Sequence, residues 1–366
     1  MRIVPIVAVL AGLTVSGSPA DGARVPLQPE LATNCQSALI DATTSFAQNK
    51  IKQLDKCTAA AFKCIQTVAP DDEADVDPIE ACLEKASLRC AKAADVIAAE
   101  EQRLREAIVE ACTPLYFPEL LSEGTVGYGL IASDCLDLGV TVEDATSVAE
   151  CVVRQHVCAV DQLYLAENPR AGELFGLVAA DLGPDSCLDD LGGPGEGVDD
   201  VKLGRQIARC EQGVAKVAGT FTTTRLKSLG SCLEAVFTCV QLAAHDGGKC
   251  LAKAAAACDK AFALAERNAL AIWPALEKSC GSIAFGELLR DAGANYQVLV
   301  DEETCPAFGV SGVATTSHYA LCLRRQHDCI GNALVRFTAP RAEELLALVG
   351  RTLPGDFFCV PPDEVF

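Results

Sequence analysis

Apolar residues recur three and four positions apart along most of the chain, as in Leu83, Ala86, Cys90, Ala93 and Ile97. That is the period of one helix face, and strand-like alternation is nearly absent. Ala, Leu, Glu, Lys and Gln dominate the periodic segments, so propensity and pattern both predict an all-α fold. Breakers punctuate it: PDDEADVDP before Ile79, HDGG after Ala244, and the Asn168-Pro169 and Ala339-Pro340 steps, where helices are expected to end. The first twenty residues break the pattern differently. Arg2, the apolar run Ile3 to Val15 and the small-residue stretch Ser18-Pro19-Ala20 read as a cleaved secretory signal. No second apolar run of spanning length follows, so no membrane span is expected.

Twenty cysteines change the picture from helices to stapled helices. They fall into two sets of ten: Cys35, 57, 64, 82, 90, 112, 135, 151, 158 and 187, then Cys210, 232, 239, 250, 258, 280, 305, 322, 329 and 359. The steps are 22, 7, 18, 8, 22, 23, 16, 7, 29 in the first set and 22, 7, 11, 8, 22, 25, 17, 7, 30 in the second. Other residues keep this register: FAQNKIKQLDKC at Phe46 answers FTTTRLKSLGSC at Phe221, and PRAGELFGLV at Pro169 answers PRAEELLALV at Pro340. The spacing predicts two tandem homologous domains, each a long antiparallel helical hairpin followed by a shorter one. The expected organisation is a signal at 1–20, an extension at 21–34, repeats at 35–190 and 201–366, and between them LGGPGEGVDD, Leu191 to Asp200, a mobile linker by composition.

The near-palindrome 22, 7, loop, 8, 22 is what three rungs across an antiparallel hairpin require. Twenty-two residues rise roughly 33 Å in a helix, so each arm must place its cysteines at matching heights. This predicts Cys35–Cys112, Cys57–Cys90 and Cys64–Cys82, and in the second repeat Cys210–Cys280, Cys232–Cys258 and Cys239–Cys250. For the remaining cysteines, an antiparallel return after Asn168-Pro169 through a short fourth helix ending near Cys187 predicts Cys151–Cys187 and Cys135–Cys158, with Cys322–Cys359 and Cys305–Cys329 in the second repeat.

An even cysteine count without C-x2-C or C-x3-C points to an oxidising compartment, secreted or periplasmic, and away from zinc, redox and haem sites. The formal charge of −20 becomes −21 once Arg2 is removed. Such a surface repels phosphate backbones and anionic lipid, so no nucleic-acid partner is expected. No cofactor is expected either, since no phosphate-binding glycine loop, G-x-S-x-G or H-E-x-x-H occurs. The acidic run Asp71 to Asp77 lacks the glycine and terminal Glu of a calcium loop and reads as a solvated turn.

One motif occurs twice, as CVVRQHVC at Cys151 to Cys158 and CLRRQHDC at Cys322 to Cys329. Both keep a triplet, Arg154-Gln155-His156 and Arg325-Gln326-His327. These six residues are candidate ligand-binding groups for an anion or metal ion; the alternative is that Arg and Gln brace a neighbouring helix while His packs beside a disulfide. His327-Asp328 before Cys329 is similar to the His-Asp pair of the calcium-dependent secreted phospholipases, which implies a hydrolase. The resemblance covers a few residues and departs from that family in its cysteine placement and in lacking the calcium loop. Val157 stands where the first copy needs the Asp, so Asp328 reads as an exposed helix residue. The leading expectation is a non-enzymatic binding, scaffold or interaction protein with a protein or small-ligand partner. A small-ligand or metal-ion binder using the triplet comes second, and a hydrolase third.

Overall fold

A computed structural model describes residues 28–69, 77–243, 245–246, 248–301, 304–355 and 359. The expected signal, the first half of the N-terminal extension and nearly all of the acidic run lie outside the described residues. Within them every regular element is helical and there is no strand. Four helices are long: α1 (Pro29–Thr67), α2 (Pro78–Cys112), α7 (Val201–Leu242) and α8 (Lys249–Cys280). Short α3 (Phe117–Leu121) and α4 (Ala132–Asp137) lead to α5 (Ala145–Glu167) and α6 (Ala171–Leu177). The second half runs through α9 (Phe285–Leu289), α10 (Gln297–Val300) and α11 (Thr304–Ala307) to α12 (Thr316–Thr338) and α13 (Ala342–Leu348).

Local chemistry explains the boundaries. Proline opens α1 and α2, where its missing N–H is no loss. Asp77 accepts from the Ile79 N–H, Asp200 from Lys202 and Leu203, and Asp144 with Ser147 forms a reciprocal box at the start of α5.

Ten disulfides are present. Cys35–Cys112, Cys57–Cys90 and Cys64–Cys82 join α1 to α2 as rungs of an antiparallel pair, and Cys210–Cys280, Cys232–Cys258 and Cys239–Cys250 join α7 to α8. The other four correct the expectation. Cys135 pairs with Cys151 and Cys158 with Cys187; Cys305 pairs with Cys322 and Cys329 with Cys359. The expected Cys135–Cys158, Cys151–Cys187, Cys305–Cys329 and Cys322–Cys359 do not form. The expected fourth helix ends near Cys187, but α6 stops at Leu177 and α13 at Leu348, seven residues each, a rise of about 10 Å. The returning chain therefore draws level with Cys158 and Cys329, leaving the nearer Cys151 and Cys322 to the segments that precede α5 and α12.

The two halves share one buried core. The long helices lie in the order α2, α1, α7, α8, with α5 against α1 and α2, α12 against α7 and α8, and α5 and α12 touching each other. The contact between α1 and α7 is antiparallel and close because α7 presents glycine. A Cβ on Gly204 would sit 2.0 Å from the Gln66 carbonyl oxygen, on Gly219 3.0 Å from Ile51 Cγ2, and on Gly230 2.6 Å from Ile40 Cγ2. Residues 191–200, expected to be mobile, are instead held. The Gly195 N–H donates to Glu173 at 2.7 Å, Arg170 Nη2 to the Glu196 carbonyl at 2.9 Å and Asn295 Nδ2 to the Gly192 carbonyl at 2.9 Å, while Val198 is buried.

Filling the glycine contact is expected to force α1 and α7 apart. Gly230→Leu should lower unfolding free energy by about 1–3 kcal/mol with all disulfides intact. Gly176→Ala, where a Cβ meets nothing within 4 Å, should be neutral or slightly stabilising; both are read by denaturant unfolding.

Candidate functional site

The structure disperses the Arg-Gln-His triplets rather than gathering them. Successive residues of a helix point about 100° apart, and on α5 and α12 each member of the triplet meets a different environment. Arg154 Nη1 donates to the Leu138 carbonyl at 3.1 Å, and Arg325 Nη1 donates to the Phe308 and Gly309 carbonyls at 2.8 Å each. Both arginines thus brace the end of the preceding short helix, α4 or α11, at matched positions of the two cysteine series.

The histidines are buried and cross between halves. His156 Nδ1 lies 2.9 Å from the Val152 carbonyl and Nε2 3.1 Å from Thr338 Oγ1; His327 Nδ1 lies 2.8 Å from the Leu323 carbonyl and Nε2 2.9 Å from Glu167 Oε1. A carbonyl only accepts, so each Nδ1 carries the proton and Nε2 of a neutral ring must accept. Burial supports the neutral ring, pushing both histidines down to about 4 against weaker opposing hydrogen bonds to backbone. Burial likewise lifts Glu167 well above the carboxylate range, with Asp55 adding to the rise. Glu167 is therefore the protonated donor to His327. Both side chains are wholly buried, so this pair fastens the two halves together and does not meet a substrate. Sequence reading missed Glu167 because it lies 160 residues from His327, on the opposite repeat.

Asp328, expected to be exposed, is buried. Arg225 Nη1 donates to it at 2.6 Å, and Arg225 Nη2 donates to Asn332 Oδ1 at 2.5 Å and the Pro354 carbonyl at 2.6 Å. Burial raises the Asp328 carboxyl, opposed by Arg225 and Arg324. Lys50 occupies the position matching Arg225: it donates to the Val157 carbonyl at 2.8 Å and pairs with Asp161 at 2.9 Å. The Asp that resembled half of a catalytic pair is thus one way of burying a cation that both halves bury.

Two openings lie on either side of α12. On one side a cleft of about 580 Å³ runs between α7, α8, α12 and residues 351–355. Its floor is Phe221, Phe262 and Leu321, and its walls carry Arg324, Arg325 and Arg351 facing Asp259 and Glu266. Arg324 Nη2 meets Glu266 at 3.0 Å, and Arg351 pairs with Asp259 while lying 6.0 Å from the Phe262 ring centre. On the other side, a pocket of about 270 Å³ lies between α5, α10, α11 and α12 and is lined by Gln326. Among the described residues no group of three or more His, Cys, Asp or Glu is placed to hold a metal ion, and no helix is long and apolar enough to cross a membrane. Comparison with protein-family models, curated proteins and solved structures finds no match.

The matched positions give the cleft an internal control. Where the second half has Asp259, Phe262, Glu266, Arg324 and Arg351, the cysteine register places Ala91, Ala94, Ala98, Val153 and Ala180 in the first. The charged, ring-floored cleft is a property of the second half. Of its residues, Arg325 and Asp328 were singled out from sequence.

A further acid marks the buried seam. Glu211, on α7, is pushed up to about 8, chiefly by burial, with Arg170 among the groups pulling it back. Folded protein therefore holds a proton that the unfolded chain, with its Glu near 4.5, has lost. The resulting stability is fully present below pH 4.5 and is lost as pH rises toward 8. Glu211→Gln should flatten this fall; the difference in unfolding free energy between variant and wild type, followed from pH 4 to 9, should grow in the variant's favour as pH rises.

Proposed function

We propose that the protein is an exported, non-enzymatic binding protein, built by internal duplication of a stapled helical unit, whose second copy carries a ligand cleft. Ten disulfides and no free cysteine fit an oxidising compartment. The matched cysteine series and paired long helices support two homologous units, each a long helical hairpin with a shorter one after it. A polypeptide partner is the second reading, favoured by the exposed Leu264, Leu270 and Trp273 on α8.

The observation that carries the ligand reading is the set of arginines around an aromatic floor in a chain of net charge −20. Guanidinium groups take carboxylate, sulfonate or phosphate through paired hydrogen bonds, and Phe221 and Phe262 offer apolar surface beside them. Arg351 pairs with the exposed Asp259, and Arg324 with the exposed Glu266 and, at 3.7 Å, with the buried Asp328; the two exposed pairs are worth roughly 0–1 kcal/mol each. An incoming anion displaces them at little cost. The ligand class is an organic anion with an apolar body.

Anilinonaphthalene sulfonate, an anionic aromatic probe, is expected to bind and fluoresce, and to bind more tightly than the neutral phenylnaphthylamine. Arg324→Ala with Arg351→Ala should weaken the sulfonate roughly tenfold or more while leaving the neutral probe unchanged. Equal affinity for both probes, or an unchanged sulfonate affinity in the variant, contradicts an anion site.

A further inference from the structure

Two ion pairs cross the arginine cleft from wall to wall. Arg324 of α12 meets Glu266 of α8 at 3.0 Å, and Arg351, beyond α13, meets Asp259 of α8. Asp259 and Glu266 are seven residues apart, so they lie on one face of α8, roughly 10 Å from each other along its axis. Between them on that face is Phe262, with Arg351 6.0 Å from its ring centre. One wall of the cleft is thus cationic and the other anionic, with an aromatic ring between the two pairs.

A site for a simple anion needs only the arginines. The acids have no structural duty that accounts for them: α8 is already joined to α7 by three disulfides, and ion pairs this exposed add little to stability. The first half holds α2 to α1 in the same way with Ala91 and Ala98 at the matched places. What the acids do offer is a second charge for a ligand to meet. An anion that breaks a cross-pair takes over the arginine and leaves a carboxylate unpaired beside its own charge. A ligand with an ammonium next to its anionic group makes two pairs for the one it breaks. The two cross-pairs differ in how readily they open. Arg324 is also held by the buried Asp328 at 3.7 Å, whereas Arg351 and Asp259 are both half exposed and Arg351 lies over the Phe262 ring.

We propose that the ligand of this cleft is an aromatic zwitterion of amino-acid type: its carboxylate takes the Arg351 guanidinium, its ammonium takes the Asp259 carboxylate, and its ring packs on Phe262. This rests on the anion reading above and adds the cationic half of the ligand. Arg351 and Asp259 part, and each closes on the opposite charge of the incoming group, the guanidinium through paired hydrogen bonds to the carboxylate. The cleft, at about 580 Å³, admits a one- or two-ring compound of this kind.

Isothermal titration calorimetry on the full disulfide-bonded chain tests this with three probes that share a naphthyl ring. Naphthylalanine is the zwitterion, naphthylpropionate lacks the ammonium, and naphthylethylamine lacks the carboxylate. Naphthylalanine should bind roughly fivefold or more tightly than either of the others. Asp259→Asn should remove its advantage over naphthylpropionate, Glu266→Gln should leave that advantage in place, and Arg351→Ala should weaken both acids. Naphthylpropionate or naphthylethylamine binding as tightly as naphthylalanine, or an advantage over naphthylpropionate that survives Asp259→Asn, overturns the proposal. If Arg351→Ala still weakens naphthylpropionate in that case, the anion reading stands without it. No binding of naphthylalanine also overturns the proposal, and anilinonaphthalene sulfonate then decides separately whether the cleft takes anions. Affinities for both acids that Arg351→Ala leaves unchanged overturn it as well, by placing the probes elsewhere.

Discussion

The antiparallel contact between α1 and α7 is the constraint on which the molecule depends. Each disulfide lies within one half, so nothing covalent except the chain at 191–200 joins the halves. Glycine on α7 brings the two backbones close, and the remaining cross-links follow from that approach. Gln66 Nε2 donates to the Ala292 carbonyl at 2.6 Å, and its matched residue Gln241 donates to the Gly124 carbonyl at 2.9 Å. Arg170 reaches Gly293 at 3.1 Å and Arg341 reaches Thr125 at 2.8 Å. The Tyr128 hydroxyl donates to the Phe337 carbonyl and the Tyr319 hydroxyl to the Ala166 carbonyl; the two carbonyls are at matched positions, the two tyrosines are not. This is the reciprocity of a two-fold dimer interface, formed here within one chain.

That geometry divides the labour between the rungs within each half and the core the halves share. Disulfide rungs limit how far each helix pair moves, and the shared core removes most of the paired faces from solvent. At matched positions of the cysteine series the second half carries Asp259, Phe262 and Glu266 on α8, Arg324 on α12 and Arg351 after α13, where the first has alanine or valine. Interface positions differ in residue but each keeps a buried bond: Lys50 with Asp161 answers Arg225 with Asp328 and Asn332, and Glu167 answers Thr338.

Helical class and the six long-range rungs were legible because spacing along a helix fixes height, and height fixes the partner. The short-range pairs were misread because the length of α6 and α13 depends on where the chain meets the core, which periodicity does not record. The joining segment was misread for a related reason. Glycine, proline and acid composition describes a flexible chain in water, but Gly195 and Glu196 are tied down by Glu173 and Arg170 from a distant helix. The partners of the repeated triplet were invisible in sequence: Glu167, bonded to His327, and the Phe308 and Gly309 carbonyls, bonded to Arg325, sit on other elements. Comparing copies did show in advance that the acid of His327-Asp328 has no counterpart in the first repeat, and the structure supplies the reason in Arg225.

The central claim is that two separately stapled halves form one body through a noncovalent seam. Introducing a protease site between Gly192 and Gly193, cutting it under native oxidising conditions and passing the product over a sizing column tests this directly. The two fragments, unlinked by any disulfide, are expected to co-elute at the size of the uncut chain and to separate only in denaturant. Fragments that part on cleavage, each still folded, would contradict the account.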